Sequence, residues 1–144
     1  MKKQDSTRGL KTIKEFPMYS IDVYGNVFSR YRNIFLTPGL SSNGYLSVCL
    51  TKNKKQKTHE IHTLVYDTWF DVSRRERKGL VVDHINFNKI DNRLENLQLI
   101  TQKDNVNRSI VEKKRKKIER QAGIVKFIDR FLLDHSVKLD DLFF

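Results

Sequence analysis

Polar residues dominate positions 1–15 without any period, which predicts a loose arm. From Tyr19 the pattern becomes strand-like. Residues 19–23 and 27–30 flank Tyr24-Gly25-Asn26, a composition suited to a hairpin turn. A second hairpin is expected where Asn43-Gly44 introduces a strand from Tyr45 to Leu50, the basic tip Lys52–Lys57 reverses the chain, and Thr58 to Ile61 returns. At His62 the period changes to helical, with Leu64, Val65, Thr68 and Trp69 on one face. The polar stretch 71–79 then reads as a loop. Leu80-Val81-Val82 reads as a buried strand running into Asp83-His84, and Leu97–Ile100 as its partner across an Asn/Asp-rich connection. Thr101 followed by Asp104 has the spacing of a helix N-cap and its reciprocal partner, so a helix should begin near Gln102 and carry Asn105 in its first turn. The expected fold is α+β: an arm at 1–15, a small antiparallel β-rich module at 16–61, a strand-loop-strand-helix unit at 62–110, and a helical tail at 111–144, basic first and apolar afterwards.

Composition sharpens this picture. In 144 residues there is room for one core plus an arm or tail. Lys and Arg number 28 against 17 Asp and Glu, giving a net charge of +11, which favours a polyanionic partner and makes nucleic acid the leading candidate. The single cysteine, Cys49, excludes an internal disulfide and a cysteine zinc cluster, and is expected in the core. The N-terminal residues do not read as a secretion signal and no apolar run approaches a membrane span, which points to a soluble protein of the reducing cytoplasm.

The chemistry concentrates in 83–105. Phosphodiester hydrolysis needs a base for water, a cation beside the phosphate, and groups that hold both in place. His84 is of the residue type that exchanges a proton near neutral pH. Asp83 and Asn105 offer oxygen ligands for a hard cation, Mg2+ or Mn2+, that keeps part of its water and binds phosphate. Neighbouring strand residues point to opposite faces, so Asp83 and His84 need not compete for one place. Asn105 sits where a helix N-terminus favours an anion. Asn86, Asn88, Asp91 and Asn92 lack the spacing of a calcium loop and are expected to hold a polar loop together.

The runs Val82-Asp83-His84-Ile85-Asn86, then Asp91 to Leu97, then Asp104-Asn105 resemble the HNH (ββα-metal) endonucleases, especially the phage and intron-encoded homing group. By that resemblance Asp83 and Asn105 are metal ligands, His84 is the general base, and Asn96 pins the loop and orients His84. Asn105 stands where the family name has its last His, as in phage homing enzymes, which makes zinc less suitable. Upstream, His62-Thr63-Leu64-Val65 is similar to the family's His-Arg-Leu-Val helix start, with Thr63 in the Arg place. Residues 19–61 look like the small β module that often precedes the catalytic unit and helps bind DNA. The activity implied is site-specific hydrolysis of double-stranded DNA. The alternatives are a DNA-binding module without cleavage and a restriction-type or nonspecific nuclease.

Phosphate contacts are expected from Lys52, Lys54, Lys55 and Lys57 at the hairpin tip and from Arg93 and Arg108. Lys113, Lys114 and Arg115 extend that set within a run from Glu112 to Arg120 that holds six basic and two acidic residues. His62 is a further DNA-positioning candidate, whereas His59 and His135 have no evident partner. One Asp83-His84-Asn105 set per chain points to a monomer that nicks one strand. Val111, Ile118, Val125 and Leu132 recur at seven-residue steps, but Lys114 and Gln121 occupy the alternate row. A long coiled coil is therefore not expected, and a homodimer through the tail is the alternative.

Overall fold

The computed structural model describes residues 9–134. Its strands are β1 (Lys11–Ile13), β2 (Phe16–Ile21), β3 (Val27–Ser29), β4 (Ile34–Phe35), β5 (Gly39–Leu40), β6 (Leu46–Lys52) and β7 (Lys55–Glu60). Helix α1 (Ile61–Trp69), β8 (Val81–His84), β9 (Leu97–Ile100) and α2 (Gln102–Asp134) follow, with a 3-10 turn at Leu94–Asn96. The fold is α+β. All strand pairs are antiparallel, in sheets ordered β1-β2-β3-β4, β5-β6-β7 and β8-β9. Expectations attached to residues 1–8 and 135–144, among them His135, and to the Leu132 side chain lie outside the described residues.

One core serves all three sheets. Ile21, Val27, Val48 and Leu50 from the hairpins meet Ile61, Leu64 and Val65 of α1 and Val82 and Leu97 of β8 and β9. The boundary expected at 61/62 thus marks a change in local structure within continuous packing. A compact unit ends at Asn105, and Val106 begins a second one formed by the rest of α2.

Three sequence expectations change. Residues 11–13, expected within the arm, form β1, with Ile13 buried and Lys11 paired with Ile21. The reversal at the basic tip is only Asn53-Lys54, both left-handed (φ 52° and 61°), as a two-residue hairpin turn demands, so Lys52 and Lys55 end the ladder. Cys49 is exposed, because the strand alternation that buries Val48 and Leu50 turns the position between them outward.

The β2–β3 turn docks on the segment that follows β8. Val23 O accepts the Leu94 N–H at 2.8 Å. Gly25 has φ +91°, and a Cβ there would lie 2.8 Å from Ile61 Cγ2 and 3.2 Å from Asn92 Cβ. Strain and close contact coincide, so Gly25→Ala is expected to lower stability by about 1–3 kcal/mol. Urea unfolding would check this, and an unchanged midpoint would show that the turn has room to move.

Candidate active site

β8 and β9 pair Asp83 with Gln98 and His84 with Leu97. The alternation of β8 sends Val82 and His84 inward, at 7% and 3% exposure, and leaves Asp83 partly accessible. Asp83 Oδ2 accepts a 3.0 Å hydrogen bond from Gln98 Nε2, its cross-strand neighbour. Directly after β9 the chain enters α2 through the expected cap. Asp104 N donates to Thr101 Oγ1 at 3.1 Å, the Thr101 hydroxyl donates to Asp104 Oδ2 at 2.7 Å, and Asn105 N closes the turn on Thr101 O at 3.0 Å. Half-buried Asn105 lines a cavity of roughly 490 Å³ together with Tyr45, His62, Arg74, Arg77 and Val82.

Two rings pack around His84. Tyr45 stacks on it at 5.9 Å between centroids, and His62 lies 5.0 Å from it and 4.9 Å from Tyr45. Burial is the largest cause holding His62 down to a pKa of about 3, with the nearby His84 and Arg77 charges adding to it. The Tyr45 phenol is raised, first by burial and then by the Glu60 and Asp83 carboxylates. Asp83, His84 and Tyr45 therefore share one electrostatic neighbourhood.

The loop between β8 and β9 is a polar network. Asn96 Oδ1 accepts the Asn86 N–H at 3.0 Å, and Asn96 Nδ2 donates to Asn86 Oδ1 at 3.0 Å and to Asp91 O at 2.7 Å. Asn86 Nδ2 reaches Asp91 Oδ2 at 2.8 Å. Arg93 grips Asp91 through Nε and Nη2 at 2.8 and 2.9 Å, and that bond is the main cause holding the Asp91 carboxyl near a pKa of about 2. The His84 side chain meets Asn92, whose Oδ1 lies 3.0 Å from His84 Nε2.

A strand carrying Asp-His, a loop pinned by Asn96, a return strand and a helix opening on Asn105 form a ββα unit. Residues 75–107, which contain all of it, match the family model for HNH endonucleases. The chain carries an HNH endonuclease unit at these residues. It is 35% identical over 103 residues to the H-N-H endonuclease F-TflII of Escherichia phage T5, a match covering 72% of this chain and 53% of that protein. It is also 35% identical over 88 residues to the DNA endonuclease I-HmuI of Bacillus phage SP01, covering 61% of this chain and 49% of that one. The chain thus spans about half the length of these phage relatives. Among solved structures it matches one describing DNA binding and cleavage by the HNH homing endonuclease I-HmuI, with a TM-score of 0.63 and 31% identity over 77% of this chain and 66% of that one.

Within the HNH unit the donor chemistry fits a hard divalent cation. Asp83 and Asn105 offer a carboxylate and an amide oxygen, donor types that such a cation takes. Two protein oxygens would suit an ion that retains water and shares the substrate phosphate.

Three of the residues expected to touch DNA have partners within the chain. His62 is 4% exposed, with its pKa lowered by burial to about 3, and packs as a neutral ring against His84. Arg93 is engaged by Asp91 and, at 2.8 Å through Nη1, by Glu95, which ties it into the HNH loop. Arg115 is similarly occupied within α2, by Glu112 and Glu119 at 2.8 and 2.6 Å. Lys52, Lys54, Lys55, Lys57, Lys113 and Lys114 are exposed, and Arg108 is half-buried. Tyr45 and the arginine pair Arg74 and Arg77 carry no site signal in the sequence, and Asn92 reads there only as part of a polar loop. The S-x-x-E spacing of Ser73 and Glu76 is the signal that the 71–79 loop is ordered, and the structure closes that reciprocal cap through both backbone N–H groups.

Proposed function

We propose that the chain is a metal-dependent DNA endonuclease of the homing type that nicks duplex DNA. The observation that carries this reading is the buried His84, fixed between hydrogen-bonding and aromatic neighbours beside Asp83, in the same ββα unit as Asn105. His84 takes a proton from the attacking water. Asp83 and Asn105 would hold a divalent cation, which supplies neutralisation of charge on the phosphate and on the departing oxygen. Asn96 keeps the loop closed around Asn86 and Asp91. The first turn of α2 offers its positive end to the phosphate. Lysines of the β6–β7 tip and of α2 supply attraction to the backbone without selecting sequence. Site choice of the homing kind is supported by the likeness to phage homing enzymes and by the β module that shares the core.

One His84 per chain breaks one phosphodiester per docking event, so a monomer leaves nicks, whereas coordinated cutting of both strands needs a second, symmetry-related site. Among the described residues no helix is long and apolar enough to cross a membrane. A cytoplasmic location is proposed from the sequence reading. A supercoiled-plasmid time course in Mg2+, run beside light scattering, tests the strand choice. Nicked circles should accumulate from a monomeric protein, and linear product formed by a stable dimer without a nicked intermediate would overturn it.

A further inference from the structure

We propose that Asn92 is the positioning residue that fixes the tautomer of His84, so that Nδ1 is the nitrogen left bare to accept the proton of water. The inference deepens the reading of His84 as the base and rests on it. Asn92 is 4% exposed, and its side-chain amide can be oriented from its two contacts. Nδ2 faces the Ile90 carbonyl oxygen at 3.5 Å, and Oδ1 faces His84 Nε2 at 3.0 Å. Turning the amide over would set Oδ1 against the Ile90 oxygen, two acceptors facing each other with no proton between them. The group presented to His84 is therefore an acceptor, and a neutral imidazole meets an acceptor with its N–H. The proton then sits on Nε2, and the lone pair of Nδ1 remains available.

The surroundings hold Asn92 in place from both sides. Its predecessor Asp91 is fixed through its carbonyl by Asn96 Nδ2 at 2.7 Å and through its carboxylate by Arg93 and Asn86. Behind Asn92 stands the β2–β3 turn, where Gly25 leaves a gap that a Cβ would narrow to 3.2 Å from Asn92 Cβ. The physical route from Asn96 to His84 is then indirect. Asn96 clamps Asp91, Asp91 sets the place of Asn92, and Asn92 meets the ring. Tyr45 meets His84 by stacking, and His62 meets it as a tilted ring at 5.0 Å between centroids.

The test reads the tautomer directly in metal-free, DNA-free protein, so it does not depend on activity. Two-bond 1H–15N correlation spectra of 15N-labelled protein, at a pH where His84 is neutral and with His84→Ala for assignment, distinguish Nε2–H from Nδ1–H. Wild type and Asn92→Asp, which keeps an oxygen acceptor, should show Nε2–H. Asn92→Leu, of similar size without an acceptor, should show a mixture or the opposite tautomer. In cleavage, Asn92→Leu should lower kcat about 10–100-fold with KM unchanged, and Asn92→Asp should recover part of it. Nδ1–H in the wild type overturns the proposal even if the leucine variant fails to fold, as does a leucine variant with unaltered tautomer or unaltered kcat. If His84→Ala still cleaves while the wild-type tautomer is Nε2–H, the reading of His84 as base fails and the tautomer assignment stands.

Discussion

Replacing His84 by alanine is expected to lower DNA cleavage at least about a hundredfold while DNA affinity changes little, because a base acts on the transition state and adds almost nothing to ground-state binding. The ring is 3% exposed and packed against Tyr45 and His62, so the variant also opens space beside the Asn92 side chain. A folded far-UV spectrum and an unchanged gel-shift midpoint would separate lost chemistry from lost structure. A loss smaller than about tenfold in a folded variant would remove His84 from the role of base.

The second large effect is expected at the two proposed oxygen ligands. Asp83→Ala should abolish Mg2+-dependent cleavage. Asn105→Asp should retain more activity than Asn105→Ala, because it keeps an oxygen at the first turn of α2 where the alanine offers none. Asp83 is tied to Gln98, and Asn105 sits four residues after the Thr101 cap to whose carbonyl its own N–H is bonded. Neither substitution disturbs the core residues, so thermal melting should change little while cleavage falls. Full activity in Asn105→Ala would move the cation to other ligands and break the assignment of this position to the HNH pattern.

Much of the site is legible in the sequence because its parts are local. Thr101 and Asp104 state the helix start through a three-residue spacing, and the structure closes that cap with both hydrogen bonds. Val81–His84 and Leu97–Ile100 declare themselves as strands by apolar content, and they pair in register. What could not be read depends on the path of a loop. Asn92 reaches His84 across eight positions that follow neither a helical nor a strand period, and several Asn and Asp residues nearby are equally polar. His62 carries the same chemistry in sequence whether it faces solvent or a core, and only its packing against Tyr45 and His84 makes it a neutral support. Arg93 looks like any basic residue of a cationic protein until Asp91 and Glu95 are found around it. At Cys49 the strand itself is correctly expected, and a single step of alternation decides whether the thiol points in or out.

The nuclease proposed here, with His84 as base and a divalent cation beside it, must break DNA phosphodiesters only when the ion is present. The most direct measurement incubates the purified full chain with supercoiled plasmid and an end-labelled duplex in Mg2+, in Mn2+ and in EDTA, and analyses the strand ends. Cleavage in Mg2+ or Mn2+, its absence in EDTA, and 5′-phosphate and 3′-hydroxyl ends are the predicted result. Undiminished cleavage in EDTA, or tight DNA binding with no broken strand in any of the three conditions, would contradict it.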